Sequence, residues 1–91
     1  MQRAAYVEAI QAQVLAQWVK PYMARQGLRC PVLIHQAPGG HVIQLRVEAA
    51  CEFGEEGKNS LERAVLDSSP LPYYGFERVF SPQIRLRFLA E

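Results

Sequence analysis

Two cysteines and two histidines are the residues best suited to chemistry in this chain: Cys30, Cys51, His35 and His41. Together they offer four zinc ligands, but structural zinc sites favour close pairs such as C-x₂-C, and this spacing matches no such pattern. Cys30 is not expected at a helix N-terminus, which could lower the pKa of its thiol. This argues against a Cys–His nucleophile. We therefore interpret the histidines as surface residues beside a turn.

The cysteine pair itself has two interpretations. An even count in a small chain is compatible with one disulfide and equally with two buried free thiols. A bridge would enclose about twenty residues and stabilise the fold by roughly 3 kcal/mol in the chain-entropy model.

Two further segments resemble functional motifs only superficially. Pro38-Gly39-Gly40 lacks the spacing, the lysine and the following helix of a phosphate-binding loop, so it is interpreted as a hairpin turn. The acidic run between residues 52 and 56 is interrupted by glycine and is interpreted as a solvated loop. The sequence thus predicts no catalytic residue, no cofactor and no metal site.

Length and composition exclude several classes of protein for this chain. The 91 residues make one small domain spanning 1–91, and 49% hydrophobic residues argue against disorder. A net charge of +1 is too small to indicate a nucleic-acid partner. No apolar run is long enough to span a membrane, and the N-terminus lacks the apolar core of a signal peptide. We expect a cytosolic protein or a piece of a larger protein that carries its own targeting.

The first half of the chain predicts a helix and a hairpin. Apolar residues recur every four positions and predict a helix that ends near Lys20, since Pro21 disfavours helical geometry before it. Those residues are Tyr6, Ile10, Val14 and Trp18. Residues 22–29 are expected to form a loop. Strands follow at 30–36 and 41–48, and Ile43, Leu45 and Val47 of the second are expected to share one face.

The second half predicts a helix and a last strand. Asn59 or Ser60 is the expected N-cap, and the prolines of 69–72 end the helix. The aromatic segment 73–80 is expected to form one helical turn over the core. Residues 83–89 alternate as a half-buried strand, with Ile84, Leu86 and Phe88 inward and Arg85, Arg87 and Leu89 outward.

These elements predict an α+β fold in the order α-β-β-α-β. The expected sheet has three antiparallel strands in the order 2-1-3, with both helices packed on one face. The third strand is then an edge with unpaired backbone groups. Arg85 and Arg87 lie on its solvent-exposed face. They either maintain solubility and discourage edge pairing, or they lie beside a peptide strand that adds to this edge. The second candidate edge is residues 41–48.

The ordered set of motifs resembles the C-terminal domain of the TolA family, within the broader TonB/TolA C-terminal group. Four segments carry the likeness and span nearly the whole chain: Tyr6-x₃-Ile10 with Trp18-x-x-Pro21, the hairpin of residues 30–43, Ser60-Leu61-Glu62-Arg63-Ala64-Val65 with Ser69-Pro70-Leu71-Pro72, and Phe80 with Ile84-x-Leu86-x-Phe88. Two features favour the TolA family over the TonB family. They are Pro70-Leu71-Pro72 after the second helix and the cysteine at the start of the first strand, with its partner after the second.

The resemblance implies a non-catalytic periplasmic domain of a larger protein anchored in the inner membrane. The implied system is Tol-Pal, which uses proton-motive force to link the two membranes for envelope integrity and cell division. Implied partners are the TolB N-terminal segment, Pal, colicins and filamentous-phage coat protein, with TolQ and TolR reached through an N-terminal anchor. An oxidising periplasm also favours a Cys30–Cys51 bridge.

The predicted mechanism is strand addition without bond chemistry. The partner-binding residues are expected to be Ile84, Arg85, Leu86, Arg87 and Phe88, in an isolated domain that is monomeric and binds no nucleic acid. One alternative is a TonB-type energy transducer that docks outer-membrane transporters. A second is a small thiol or metal enzyme that uses Cys30 and the histidines.

Overall fold

The computed structural model describes residues 2–18 and 27–90 of the chain. Five elements follow one another, and they confirm the predicted α+β fold in the order α-β-β-α-β. They are α1 (Gln2–Gln17), β1 (Arg29–Ala37), β2 (His41–Val47), α2 (Gly54–Asp67) and β3 (Gln83–Leu89). Within the described ranges, neither helix is long and apolar enough to cross a membrane.

The three strands form one sheet in the order β2-β1-β3, as predicted. Both pairings are antiparallel. β1 is the central strand, and Val32 lies between Val47 of β2 and Leu86 of β3. The sheet therefore has two edges, β2 and β3, and each has one neighbour on its inner side only.

One face of the sheet is buried beneath the helices, and the other is open. Along β3, buried and exposed residues alternate strictly, which confirms the predicted inward set of Ile84, Leu86 and Phe88. α1 contributes Tyr6, Ile10 and Val14 to the same core at the predicted four-residue spacing. Because side chains alternate across a strand, the odd-numbered residues of β1 and β3 lie on the open face.

Ile43 departs from the predicted pattern of β2. The pairing with β1 shifts by one residue between His35 and Gln36, which places one extra residue in β2. As a result Val42 packs against the core, while Ile43 is 70% exposed. The expectation that Ile43, Leu45 and Val47 share one face is wrong for Ile43, since a bulge reverses the alternation at that point.

α2 begins earlier than predicted, at Gly54, with Phe53 as its N-cap residue. Asn59 and Ser60 therefore lie inside the helix, and neither caps it. Glu55 and Glu56 are in its first turn rather than in a loop, where carboxylates interact favourably with the helix dipole. The side chain of Glu52 accepts a hydrogen bond from the Arg29 backbone at 2.9 Å, so this acidic run has structural contacts.

Ser60 instead joins the two helices. Its hydroxyl accepts a hydrogen bond of 2.6 Å from the indole nitrogen of Trp18. The Trp18 ring stacks on Phe53 at a centroid distance of 5.0 Å. These contacts fix the end of α1 against the start of α2.

The ends of the other predicted segments differ in part. α1 ends at Gln17, so the predicted end near Lys20 and most of the predicted loop at 22–29 lie outside the described residues. Residues 73–80 form successive turns rather than a helix, with hydrogen bonds from Phe76 to Tyr73 and from Val79 to Phe76. Phe76, Val79 and Phe80 still pack against the core.

A disulfide joins Cys30 and Cys51, which decides the question that the residue pattern left open. It links the start of the central strand to the segment just before α2. Cys30 is fully buried, and Cys51 packs against the core from its edge. The bridge thus ties the β1–β2 hairpin to the helical layer.

The variant Cys51→Ser should lower the free energy of unfolding by roughly 3 kcal/mol, because the unfolded chain gains the freedom that the bridge removes. Urea denaturation followed by circular dichroism measures the change, and wild-type protein with reductant should behave like the variant. Equal unfolding midpoints for wild type with and without reductant would contradict this role of the bridge.

Candidate partner-docking edge

The outer backbone groups of β3 follow from the hydrogen bonds at its two ends. Gln36 donates to the Pro82 carbonyl at 2.8 Å, and Ala90 donates to Leu28 at 2.9 Å. Hydrogen-bonded pairs alternate along an antiparallel ladder, so the even-numbered residues of β3 bond to β1. The N–H and C=O groups of the odd-numbered residues therefore point away from the sheet. These residues are Gln83, Arg85, Arg87 and Leu89.

Two side chains of α1, which packs on the core face of the sheet, reach the outer side of β3. Near the start of the strand, the Arg3 side chain donates to the Ser81 hydroxyl at 3.1 Å. Near its end, the Gln11 amide donates to the outward carbonyl of Arg87 at 2.9 Å. No backbone of the described chain pairs with this row, so an incoming strand would meet one side-chain hydrogen bond, from Gln11.

Arg85 on the open face forms a two-point ion pair with Glu48 of the opposite edge. The guanidinium nitrogens lie 2.5 and 3.2 Å from the two carboxylate oxygens. This hydrogen-bonded pair lowers the pKa of Glu48, helped by the charges of Arg85 and Arg46, and raises the pKa of Arg85. The pair spans β1 and links the side chains of both edge strands.

The pH dependence of this ion pair is testable. Because folding lowers the Glu48 pKa, the pair stabilises the fold above the pKa of an unfolded glutamate, and that stabilisation is lost as the pH falls through the folded value. In Arg85→Gln the Glu48 pKa should rise toward its ordinary value. Carboxyl ¹³C NMR titration measures it, and an unchanged Glu48 pKa in the variant would show that the contact is not formed in solution.

The other edge, β2, is partly closed by the chain itself. The Glu48 N–H donates to the Pro31 carbonyl at 3.0 Å. Because hydrogen-bonded pairs alternate, the backbone groups of Gln44 and Arg46 face β1, and those of Leu45 and Val47 face outward. At the start of the strand, Ser69 accepts a hydrogen bond from the Val42 N–H at 3.0 Å.

The segment after α2 makes a second bond to this edge, from the Leu71 N–H to the Gly40 carbonyl at 2.7 Å. Gly40 has a φ of +88°, and a Cβ at this position would overlap the Leu71 carbonyl. Glycine is thus required here both by backbone conformation and by space. The first part of the β2 edge is covered, whereas β3 has no such backbone cover within the described residues.

Gly40→Ala should therefore cost about 3 kcal/mol or more, from strain at positive φ plus the overlap with Leu71. Gly75→Ala is the matched control, since Gly75 has a φ of +92° with nothing within 4 Å of the added Cβ. That variant should cost only about 1 kcal/mol. Equal losses in thermal unfolding would contradict the close packing of the 69–71 segment on β2.

The residues proposed for chemistry do not converge. Both cysteines are used in the disulfide, so the chain has no free thiol. His35 lies on the open face, paired with Gln44, and His41 is exposed at the start of β2. Over residues 2–18 and 27–90, no group of three His, Cys, Asp or Glu side chains could hold a metal ion. The thiol-enzyme alternative requires a free thiol at Cys30, which is instead bonded to Cys51.

Two glutamines with structural roles were missed at the sequence level. Gln11 lies between the apolar positions of the predicted first helix, and helix periodicity does not reveal that it reaches the β3 backbone. Gln36 is 2% exposed, and its amide donates to the Tyr6 hydroxyl at 2.6 Å and the Ser81 carbonyl at 2.9 Å. The sequence signal for its burial is strand alternation, which extends the inward face of Val32 and Ile34 to position 36, but this position was not predicted to be buried.

Residues 3–88 match the family model described as TonB C terminal. The chain belongs to this family. The match covers the described helices and strands almost completely, in agreement with the TonB/TolA group that the motifs resemble. None of the curated protein sequences compared is significantly similar to the chain.

Two solved structures with this fold are similar to the chain. One is the solution NMR structure of TolAIII bound to a peptide derived from the N-terminus of TolB, with 25% identity, a TM-score of 0.76, and coverage of 96% of this chain and 73% of that one. The other is the TonB C-terminal domain of Helicobacter pylori, with 12% identity, a TM-score of 0.71, and coverage of 94% and 92%. At 12% identity the second likeness concerns the fold alone.

Proposed function

We propose that this domain binds an extended partner segment of the Tol-Pal cell-envelope system by strand addition to the outer edge of β3. The observation that carries the proposal is the row of outward N–H and C=O groups at Gln83, Arg85, Arg87 and Leu89. The similarity of this chain to TolAIII, which was solved with a TolB-derived peptide bound, supports TolB as the partner. The predicted residues 84–88 lie within this strand.

The two faces of β3 would have different roles in this binding. The outward backbone groups would give affinity through main-chain hydrogen bonds, and the side chains would give specificity. Arg85 and Arg87 would contact partner side chains on the open face, whereas Ile84, Leu86 and Phe88 are buried and would support the strand from the core side. In this proposal no covalent bond forms or breaks, and the domain acts by non-covalent binding alone.

The proposed setting is the periplasm, in a protein anchored in the inner membrane. The Cys30–Cys51 bridge supports this, since disulfides persist in oxidising compartments. A docked strand that transmits force loads many backbone bonds together, and the bridge would keep β1 from separating from the helical layer. The same proposal includes coupling of proton-motive force to the outer membrane, for envelope integrity and cell division. It also includes binding of Pal, colicins and phage coat protein.

A second candidate function is that of a TonB-type energy transducer that docks outer-membrane transporters. The family match, described as TonB C terminal, is the observation in its favour. Both functions would use a sheet edge, so the partner peptide distinguishes them. Binding of a transporter-derived peptide in place of the TolB-derived one would favour the TonB-type function.

Amide hydrogen exchange of the ¹⁵N-labelled chain with a synthetic TolB N-terminal peptide tests the docking edge. The outward amides of Arg85 and Arg87 should gain protection on binding, because they become bonded to the partner strand. The amides of Leu86 and Phe88 already bond to β1 and should change little.

The β2 edge is the internal control of the same experiment. Its outward amides at Leu45 and Val47 should stay as they are in the free protein. Protection there, with none at Arg85 and Arg87, would move the site to β2, and no change anywhere at millimolar peptide would contradict strand addition.

A further inference from the structure

The chain is nearly neutral, but its charges are separated between its two sides. The open sheet face carries four arginines and one carboxylate: Arg29, Arg46, Arg85, Arg87 and Glu48. The described parts of the two helices carry five acidic residues against three basic ones. The open face is thus strongly positive, although the net charge of the whole chain is only +1.

Arg87 is the arginine that the fold leaves without a carboxylate at the docking edge. Glu48 and Arg87 both lie opposite Pro31 of β1, on either side of it. Glu48 nevertheless bonds to Arg85 with both its oxygens. Within the described part of the chain, Arg87 has no carboxylate at salt-bridge distance, and its side chain is exposed on the outermost strand.

An added strand would place a side chain directly beside Arg87. Side chains of neighbouring strands on one face lie about 5 Å apart at the Cβ atoms, and opposite charges there are favourable. The alternate side chains of the added strand would lie on the other face, next to the row of Ile84, Leu86 and Phe88 that α1 covers. Each face therefore sets a different requirement for the partner.

We propose that the segment bound at β3 carries an acidic side chain at the position facing Arg87, with uncharged residues at the alternating positions. This inference rests on the proposed function and specifies the class of its partner. The arrangement also explains how a near-neutral domain selects a partner: Arg85 is already neutralised by Glu48, and Arg87 is not. A like charge at the same position would be repelled.

Three acetylated eight-residue peptides test the proposal on the full chain. Each has valine and threonine at alternating positions, and the remaining positions are all Glu, all Gln or all Lys. NMR titration at low salt should give the tightest binding for the Glu peptide and the weakest for the Lys peptide. Each step should change the affinity by roughly threefold to fivefold, the size expected of exposed cross-strand pairs, and the differences should shrink at high salt.

The charge reversal Arg87→Glu should invert this order, and Arg87→Gln should remove it. Arg63→Glu on the exposed side of α2 is the matched control, since it makes the same change in net charge away from β3 and should keep the original order. Circular dichroism checks that each variant folds.

The outcomes separate the two proposals. If the three peptides bind β3 with equal affinity, strand addition stands and the acidic preference is wrong, with Arg87 serving only solubility. If Arg63→Glu weakens the Glu peptide as much as Arg87→Glu does, the preference is one of overall charge and the assignment to Arg87 is wrong. If neither these peptides nor the TolB-derived peptide bind, both proposals fail.

Discussion

The outward backbone row of β3 is the feature on which the functional account depends. In a three-stranded sheet only the central strand can satisfy its N–H and C=O groups on both sides, and β1 does so. The remaining groups must be met by water, by the chain itself or by a partner. At β2 the segment 69–71 meets two of them, through Ser69 and Leu71. At β3 the described chain supplies the Gln11 side chain at Arg87.

This difference between the edges supports β3 as the proposed docking strand. To expose the start of the β2 edge, the 69–71 segment would have to give up both hydrogen bonds and its close packing against Gly40. The Gln11 side chain can rotate away without disturbing the helix. The Cys30–Cys51 bridge ties β1, the neighbour of β3, covalently to the segment before α2.

Strand alternation and proline positions predicted most of the fold. The inward set of β3 follows from strand alternation, and the end of α2 before Ser69 follows from the prolines. The 2-1-3 order follows from a second helix that runs back along the sheet, because the third strand is then antiparallel to the first. The bulge that exposes Ile43 was not predicted, because it depends on how β2 pairs with β1. The start of α2 was missed because Phe53 serves as its N-cap without a side-chain hydrogen bond, so no capping residue marked it.

The candidate site was predictable only to the level of the strand. The last strand was recognised as an edge with Arg85 and Arg87 on its wet face, but its contacts were not. The Glu48–Arg85 pair joins residues 37 positions apart, and Gln11 reaches Arg87 across 76 positions. Such contacts depend on tertiary packing, which no local pattern encodes. They distinguish Arg85, which pairs with Glu48, from Arg87, which has no carboxylate at salt-bridge distance within residues 2–18 and 27–90.

The most direct test replaces the hydrogen of one outward N–H with a methyl group. Semisynthesis of the C-terminal strand with an N-methyl group on the Arg85 amide keeps every side chain and leaves the ladder to β1 intact. Strand addition at β3 predicts an unchanged fold by circular dichroism and loss of binding to the TolB-derived peptide in an NMR titration. Binding equal to that of the unmodified protein would contradict strand addition at β3.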